Sequence, residues 1–213
     1  MKYDELLEIL GDAPVFDSSL LRAGDVDPAG VASQLSRWVS TGRLLQLRRR
    51  VYAVPAARRR RAPYAFETAN LLVRPSYVSL EAALSFHGMI PEAVFTTTSI
   101  TSARPALYRT PLGDFDYRHV SEALFWGYQN TEVAPGVSAL VARPEKALLD
   151  LVYLRPRGDD PAFLHELRLE RLERLDTAAL EGMAQRTGRP KLARAACRIA
   201  GIAARYAEEY ETL

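Results

Sequence analysis

Residues 42–54, GRLLQLRRRVYAV, decide the reading of this chain. Two short apolar runs, 44–47 and 51–54, flank three consecutive arginines, Arg48, Arg49 and Arg50. Apolar β-forming runs on either side of a polar break read as a β-hairpin. The break holds no glycine. Two-residue hairpin turns favour residues that tolerate positive φ, so the spacing predicts a loop of three or more residues. Three arginines at one tip repel one another unless a polyanion faces them, which makes the tip a candidate contact for nucleic acid.

Working upstream, Tyr3, Leu6, Leu7 and Leu10 recur at three- and four-residue intervals and predict a helix over 2–10, stopped by Gly11. Asp17 or Ser18 can cap a short second helix carrying Leu20 and Leu21 and ending at Gly24. The third helix has the clearest start, with Asp27 as N-cap and Pro28 in the first helical position. Val31, Leu35, Trp38 and Val39 form its buried stripe, and Gly42 ends it. Trp38 shares that stripe, so with Tyr52 it reads as core rather than as a stacking platform for bases. Ser33, Gln34 and Arg37 fall off the stripe and face outward.

Three helices and a hairpin within 55 residues follow the order of a winged helix-turn-helix. In that arrangement the third helix enters the major groove, where base edges are distinguishable, and the hairpin reaches phosphates or the minor groove. Ser33, Gln34 and Arg37 are therefore the candidate base contacts. Arg43, Arg48, Arg49 and Arg50 are candidate backbone or minor-groove contacts. Residues 56–63 follow Pro55 and contain Arg58, Arg59, Arg60 and Arg61. Four adjacent like charges resist compact packing, so this stretch reads as a linker and a DNA-contacting arm. The charge distribution agrees: residues 22–61 hold ten arginines against two acids, whereas residues 62–213 hold 17 basic and 19 acidic side chains. The expected partner is double-stranded operator DNA.

From Tyr64 the pattern changes. Helices are expected over 66–73 and 80–87, the second capped by Ser79. Strands are expected over 95–101, 112–120, 125–128 and 137–142. Pro144 opens a helix over 145–153, and helical segments follow over 161–175, 177–187 and 190–211, with Asp176 capping the middle one. The expected fold class is α+β: a winged helix-turn-helix over 1–55, an arginine-rich linker over 56–63, and a mixed α/β domain with a helical C-terminus over 64–213.

Composition bounds the function classes. The chain has 213 residues, 48% hydrophobic and 25% charged, in the range of a globular protein. No apolar run approaches the ~18 residues of a membrane span, and residues 1–20 hold no signal-peptide core. The single cysteine, Cys197, excludes an intrachain disulfide or a cysteine zinc cluster. The expectation is a cytoplasmic protein. His87, His119 and His165 are isolated in sequence, and no phosphate-binding glycine loop occurs, so no metal, no cofactor and no catalytic set is expected. Ser79, Glu81 and His87 could be drawn as a catalytic set, but capping explains Ser79 and a helix C-terminus suits His87. Glu145, Lys146 and Asp150 could serve structure, a partner surface or a nuclease, with Lys146 and Asp150 paired at i,i+4. Arg189, Lys191, Arg194 and Arg198 give the last helix a basic edge.

Several segments carry a family resemblance. They are Tyr77-Val78-Ser79-Leu80-Glu81-Ala82-Ala83-Leu84 with His87-Gly88 and Pro91, the threonine-rich run 96–102, Thr110-Pro111-Leu112-Gly113-Asp114-Phe115-Asp116-Tyr117, and Ala142-Arg143-Pro144-Glu145-Lys146-Ala147-Leu148-Leu149-Asp150-Leu151. Together with Gly42, Arg43, Leu44, Val51 and Tyr52, they resemble the AbiEi antitoxin family over roughly residues 1–155. The resemblance implies an antitoxin and transcriptional regulator of an abortive-infection system. It implies binding of inverted repeats through the winged helix, repression of its own operon, and a C-terminal domain countering a nucleotidyltransferase-like toxin. Arg50 departs from the family, which usually has glycine just before the Val-Tyr pair. A ligand-responsive repressor and a DNA-directed nuclease are the alternatives.

Overall fold

Val51, Tyr52, Ala53 and Val54 are apolar without alternation, the mark of a strand buried on both faces. In the computed structural model, which describes residues 1–22 and 28–211, they lie at the centre of a small antiparallel sheet. Its strands are β1 (Val15–Asp17), β2 (Leu45–Arg48) and β3 (Val51–Ala53), in the order β1-β3-β2. One face carries Phe16, Tyr52 and Val54 against α1 (Tyr3–Leu10) and α2 (Pro28–Ser40). Tyr3, Leu6, Leu10, Val31, Leu35 and Trp38 complete this small core, so the apolar stripes of both helices pack as their spacing requires. The opposite face carries Val15, Leu47, Val51 and Ala53 into a second and larger core.

Two local features differ from expectation. Residues 15–17 form an unexpected strand, because Phe16 pairs across to Tyr52 in the sheet. The short helix that follows is a 3₁₀ turn, Ser18–Arg22, whose start is fixed by Asp17 accepting the Ser19 N–H at 2.8 Å. Gly24 and Asp27, the expected stop and cap, lie outside the described residues.

The larger core is built on a mixed six-stranded sheet. Its strands are β4 (Ser76–Val78), β5 (Thr96–Thr101), β6 (Ala106–Thr110), β7 (Gly113–His119), β8 (Tyr128–Ala134) and β9 (Val137–Ala142), in the order β6-β7-β5-β4-β9-β8. β4 runs parallel to β9 and β5 parallel to β7, and the other pairs are antiparallel. The helices are α3 (Ala65–Leu72), α4 (Leu80–Phe86), α5 (Pro144–Leu154), α6 (Pro161–Glu166), α7 (Thr177–Arg186) and α8 (Pro190–Glu211). The class is α+β, and no described helix is long and apolar enough to cross a membrane.

The expected strand over 125–128 instead begins at Tyr128 and runs to Ala134. Both β8 and β6 are edge strands with partly exposed, polar-rich sequences, so they lack the apolar signal of the central strands. The helix expected over 161–175 stops at Glu166. Arg168 and Arg171 adopt left-handed backbone, and the Glu170 N–H is drawn away to the Met89 carbonyl at 2.9 Å.

α5 crosses the core buried from Glu145 through Val152, polar side chains included. Lys146 donates to Asp150 one turn on and, at 2.9 Å, to the Tyr77 hydroxyl. Tyr77 donates to Asp150 Oδ2 at 3.0 Å, and Ser79 donates to the same oxygen at 2.8 Å. The Ser79 side chain thus ties the end of β4 to α5 and makes no cap bond, a correction to its expected role, while Thr98 Oγ1 accepts the α4 N–H of Ala82 at 3.1 Å. A buried charge that loses its partner costs about 3–5 kcal/mol, whereas an apolar replacement of the whole pair can be neutral. Denaturant unfolding should therefore show Lys146→Met strongly destabilised and Lys146→Met/Asp150→Leu recovering part of the loss. A second expectation follows from the shared sheet. A fragment of residues 1–63 exposes Val15, Leu47, Val51 and Ala53, and size-exclusion chromatography with circular dichroism should find it unfolded or self-associated.

Candidate nucleic-acid interface

α2 is held by its buried stripe of Val31, Leu35 and Trp38, which leaves the opposite side to solvent. Ser33 and Arg37 are exposed there, and Gln34 is half-buried. Arg37 donates to Gln34 Oε1 at 2.9 Å, so the two candidate base-reading side chains are aligned with each other on the helix surface. The Arg37 carbonyl accepts from the Ser40 and Thr41 hydroxyls, which tightens the last turn of the helix.

The hairpin tip differs from the expected long loop. Arg48 pairs with Val51 and the register shifts between Gln46 and Arg48, so Arg49 and Arg50 alone make the turn. The turn has no glycine because Arg50 takes the left-handed conformation itself, at φ 73°. Two contacts hold it there. The Arg50 carbonyl accepts the Ser18 N–H at 2.7 Å, and its guanidinium reaches Asp17 at 3.4 Å. Burial alone would raise the Asp17 carboxyl, but its bonds from Ser19 and the charges of Arg50 and Arg74 hold it below the ordinary carboxylate range. Arg49 projects into solvent, and no carboxylate among the described residues pairs with it.

Arg48 stands apart. It is half-buried, its Nε makes no hydrogen bond in the chain, and its charge is felt by the buried Tyr117 of β7. Burial pushes the Tyr117 hydroxyl far above its ordinary pKa, with Tyr108 adding to that rise and Arg48 opposing it.

The arginine run after the hairpin is not a self-repelling arm. Residues 56–58 form a turn, Arg61 grips Glu67 through two bonds of 2.8 and 2.5 Å, and Arg60 lies 3.6 Å from Asp12. The guanidiniums of Arg43 and Arg58 each lie over the ring of Tyr3. Arg59 is half-buried. The sequence could not show these pairings, because Asp12 and Glu67 lie on separate elements and meet the run only after folding.

The expected partner surface on α5 requires correction. Glu145, Lys146 and Asp150 are 2%, 3% and 2% exposed. Glu145 accepts the Asp176 N–H at 3.2 Å and meets Arg143 at 3.5 Å, and burial pushes the Asp150 carboxyl upward against the pull of Lys146, Ser79 and Tyr77. α5 is apolar on nearly all sides, so its charged positions were carried inward with the rest. Both Asp150 oxygens accept bonds within the chain, from Lys146, Tyr77 and Ser79. The basic edge of α8 is also spent internally. Lys191 donates to the carbonyls of Tyr153 and Arg155, Arg194 pairs with Asp159 at 2.7 Å, Arg198 bonds the Asp159 carbonyl, and Arg189 stacks on Tyr153. A cleft of about 640 Å³ between α6 and α8 is lined by Leu164, Leu169 and Ile202, and its Arg168 and Arg198 are bound elsewhere.

No protein-family model matches the chain, and no curated protein matches it.

The strained turn is open to measurement. Arg50→Gly and Arg50→Ala both lose the Asp17 contact, and only glycine sits at φ 73° without strain. Thermal unfolding should place Arg50→Gly above Arg50→Ala by about 1 kcal/mol. Equal stabilities would show that the turn is not strained.

Proposed function

We propose that this chain is a winged-helix protein that reads duplex DNA. The carrying observation is the element order α1, β1, 3₁₀ turn, α2, β2, β3, closed by a three-stranded sheet. The polar side of α2 and the Arg49–Arg50 tip stand in solvent on this framework. Ser33, Gln34 and Arg37 are positioned to meet base edges, with glutamine suited to adenine and arginine to guanine. Arg43, Arg49, Arg50 and Arg58 supply positive charge for the backbone. Arg61 is held by Glu67 and belongs to the scaffold, whereas Arg60 keeps most of its side chain in solvent beside Asp12. This reading needs neither a cofactor nor a catalytic group.

The resemblance to AbiEi antitoxins extends the proposal. The chain would repress its own operon and counter a nucleotidyltransferase-like toxin encoded beside it. Co-expression with the neighbouring gene should restore growth that the neighbour alone arrests.

The DNA reading is tested by fluorescence anisotropy on the promoter duplex and on scrambled duplexes. Arg49→Ala should weaken binding to every duplex and lower the slope of log affinity against log salt by about 0.9. Gln34→Ala should chiefly erase the preference for promoter over scrambled sequence, a loss of about 1–3 kcal/mol in discrimination. Unchanged affinity and preference in both variants would refute the reading.

A further inference from the structure

Two cations meet on one buried ring at the root of the hairpin. The Cζ atoms of Arg43 and Arg58 each lie 5.6 Å from the centroid of Tyr3. Tyr3 is 6% exposed and packs edge-on against Trp38, with centroids 5.4 Å apart. Its hydroxyl donates to the Arg43 carbonyl at 2.8 Å. The ring is therefore fixed by the small core and is not free to follow the arginines.

The three residues come from separate elements. Tyr3 opens α1, Arg43 lies between α2 and β2, and Arg58 lies in the turn after β3, where its N–H bonds the Pro55 carbonyl at 2.9 Å. No carboxylate among the described residues forms an ion pair with either guanidinium, although Arg50, Arg60 and Arg61 each have one. Asp4 lies near enough to be felt by Tyr3 but bonds neither arginine. A cation over an aromatic face gains ~0.5–1 kcal/mol at an exposed site. Bringing a second cation to the same ring adds repulsion, which an anion between or beside them would reverse.

We propose that Arg43 and Arg58, positioned by Tyr3, form a preformed site for a backbone phosphodiester of the bound duplex. The inference rests on the DNA-binding reading and adds a second grip to it. β2 separates this root from the tip, and the six residue steps from Arg43 to Arg49 span up to about 20 Å at ~3.3 Å per residue. The root therefore engages phosphates other than those Arg49 reaches. It also divides the arginine run after the hairpin: Arg58 binds DNA, while Arg61 is tied to Glu67.

The test uses the full chain and a mixed-sequence duplex, with anisotropy measured across a salt series. Arg43→Gln and Arg58→Gln should each lower the salt slope by about 0.9, and the double variant by about twice that. Arg60→Gln should leave the slope unchanged. Tyr3→Phe keeps the ring but loses the bond to the Arg43 carbonyl, and should bind more tightly than Tyr3→Leu. Tyr3→Leu, with its fold checked by circular dichroism, should weaken binding although both arginines remain. If the double variant binds with wild-type affinity and slope, the phosphate site is wrong and the DNA reading stands. An equal loss in Arg60→Gln would also overturn the site, since diffuse charge would then explain the effect. A folded wild-type chain that binds no duplex overturns both.

Discussion

The small sheet β1-β3-β2 is buried on both faces, and the arrangement of the molecule depends on that constraint. Alternate residues of β3 serve different cores: Val51 and Ala53 face the large one, Tyr52 and Val54 the small one. Side chains along a strand alternate strictly, so the hairpin has one register in which both cores are filled. A slip by one residue would drive Tyr52 into the large core and Val51 out of it. The hairpin that carries the arginine tip is thereby fixed both to α2 and to the six-stranded sheet. The candidate DNA-reading helix and the tip are held on a single rigid support.

Charge in this protein sorts by what the fold places beside it. Arginines that look equivalent in the run after the hairpin are separated into an ion pair with Glu67, a looser one with Asp12, and a contact with Tyr3. At the tip, Arg48 is half-buried with its Nε shielded from solvent, Arg50 reaches Asp17, and Arg49 stands in solvent. The same sorting buries Lys146 and Asp150. An ion pair can survive in a core only when its remaining lone pairs and protons are bonded, and Tyr77 and Ser79 meet that condition. The network joins β4 to α5 across the centre of the large core, where an apolar pair would supply no directional bonds.

The arginine turn shows how a local rule is satisfied by an unexpected residue. Two-residue hairpins require positive φ, and the absence of glycine pointed to a longer loop. The geometry is nevertheless short, because Ser18 and Asp17 bond the carbonyl and the guanidinium of Arg50 and hold it in the left-handed region. Those partners are some thirty positions away in the chain. A similar distant bond, from Glu170 to the Met89 carbonyl, interrupts the helical pattern after α6.

The sequence by itself determined the periodic elements: the stripes of α1 and α2, the two apolar arms of the hairpin, the strands β5, β7 and β9, and the α+β class, but not the three-residue β4 at the centre of the large sheet. Those follow from local spacing, which a strand or helix must obey wherever it lies. It also marked Ser33, Gln34, Arg37 and Arg49 as outward-facing, since positions off an apolar stripe or at a turn tip have no core to enter. Only the tertiary structure decided which other charges are free. Arg48, Arg60, Arg61, Glu145, Lys146 and Asp150 look as available in sequence as Arg49 does. Their fate turns on partners that chain folding brings from distant elements, and an ion pair or a buried contact between such residues leaves no periodic trace in the order of the amino acids.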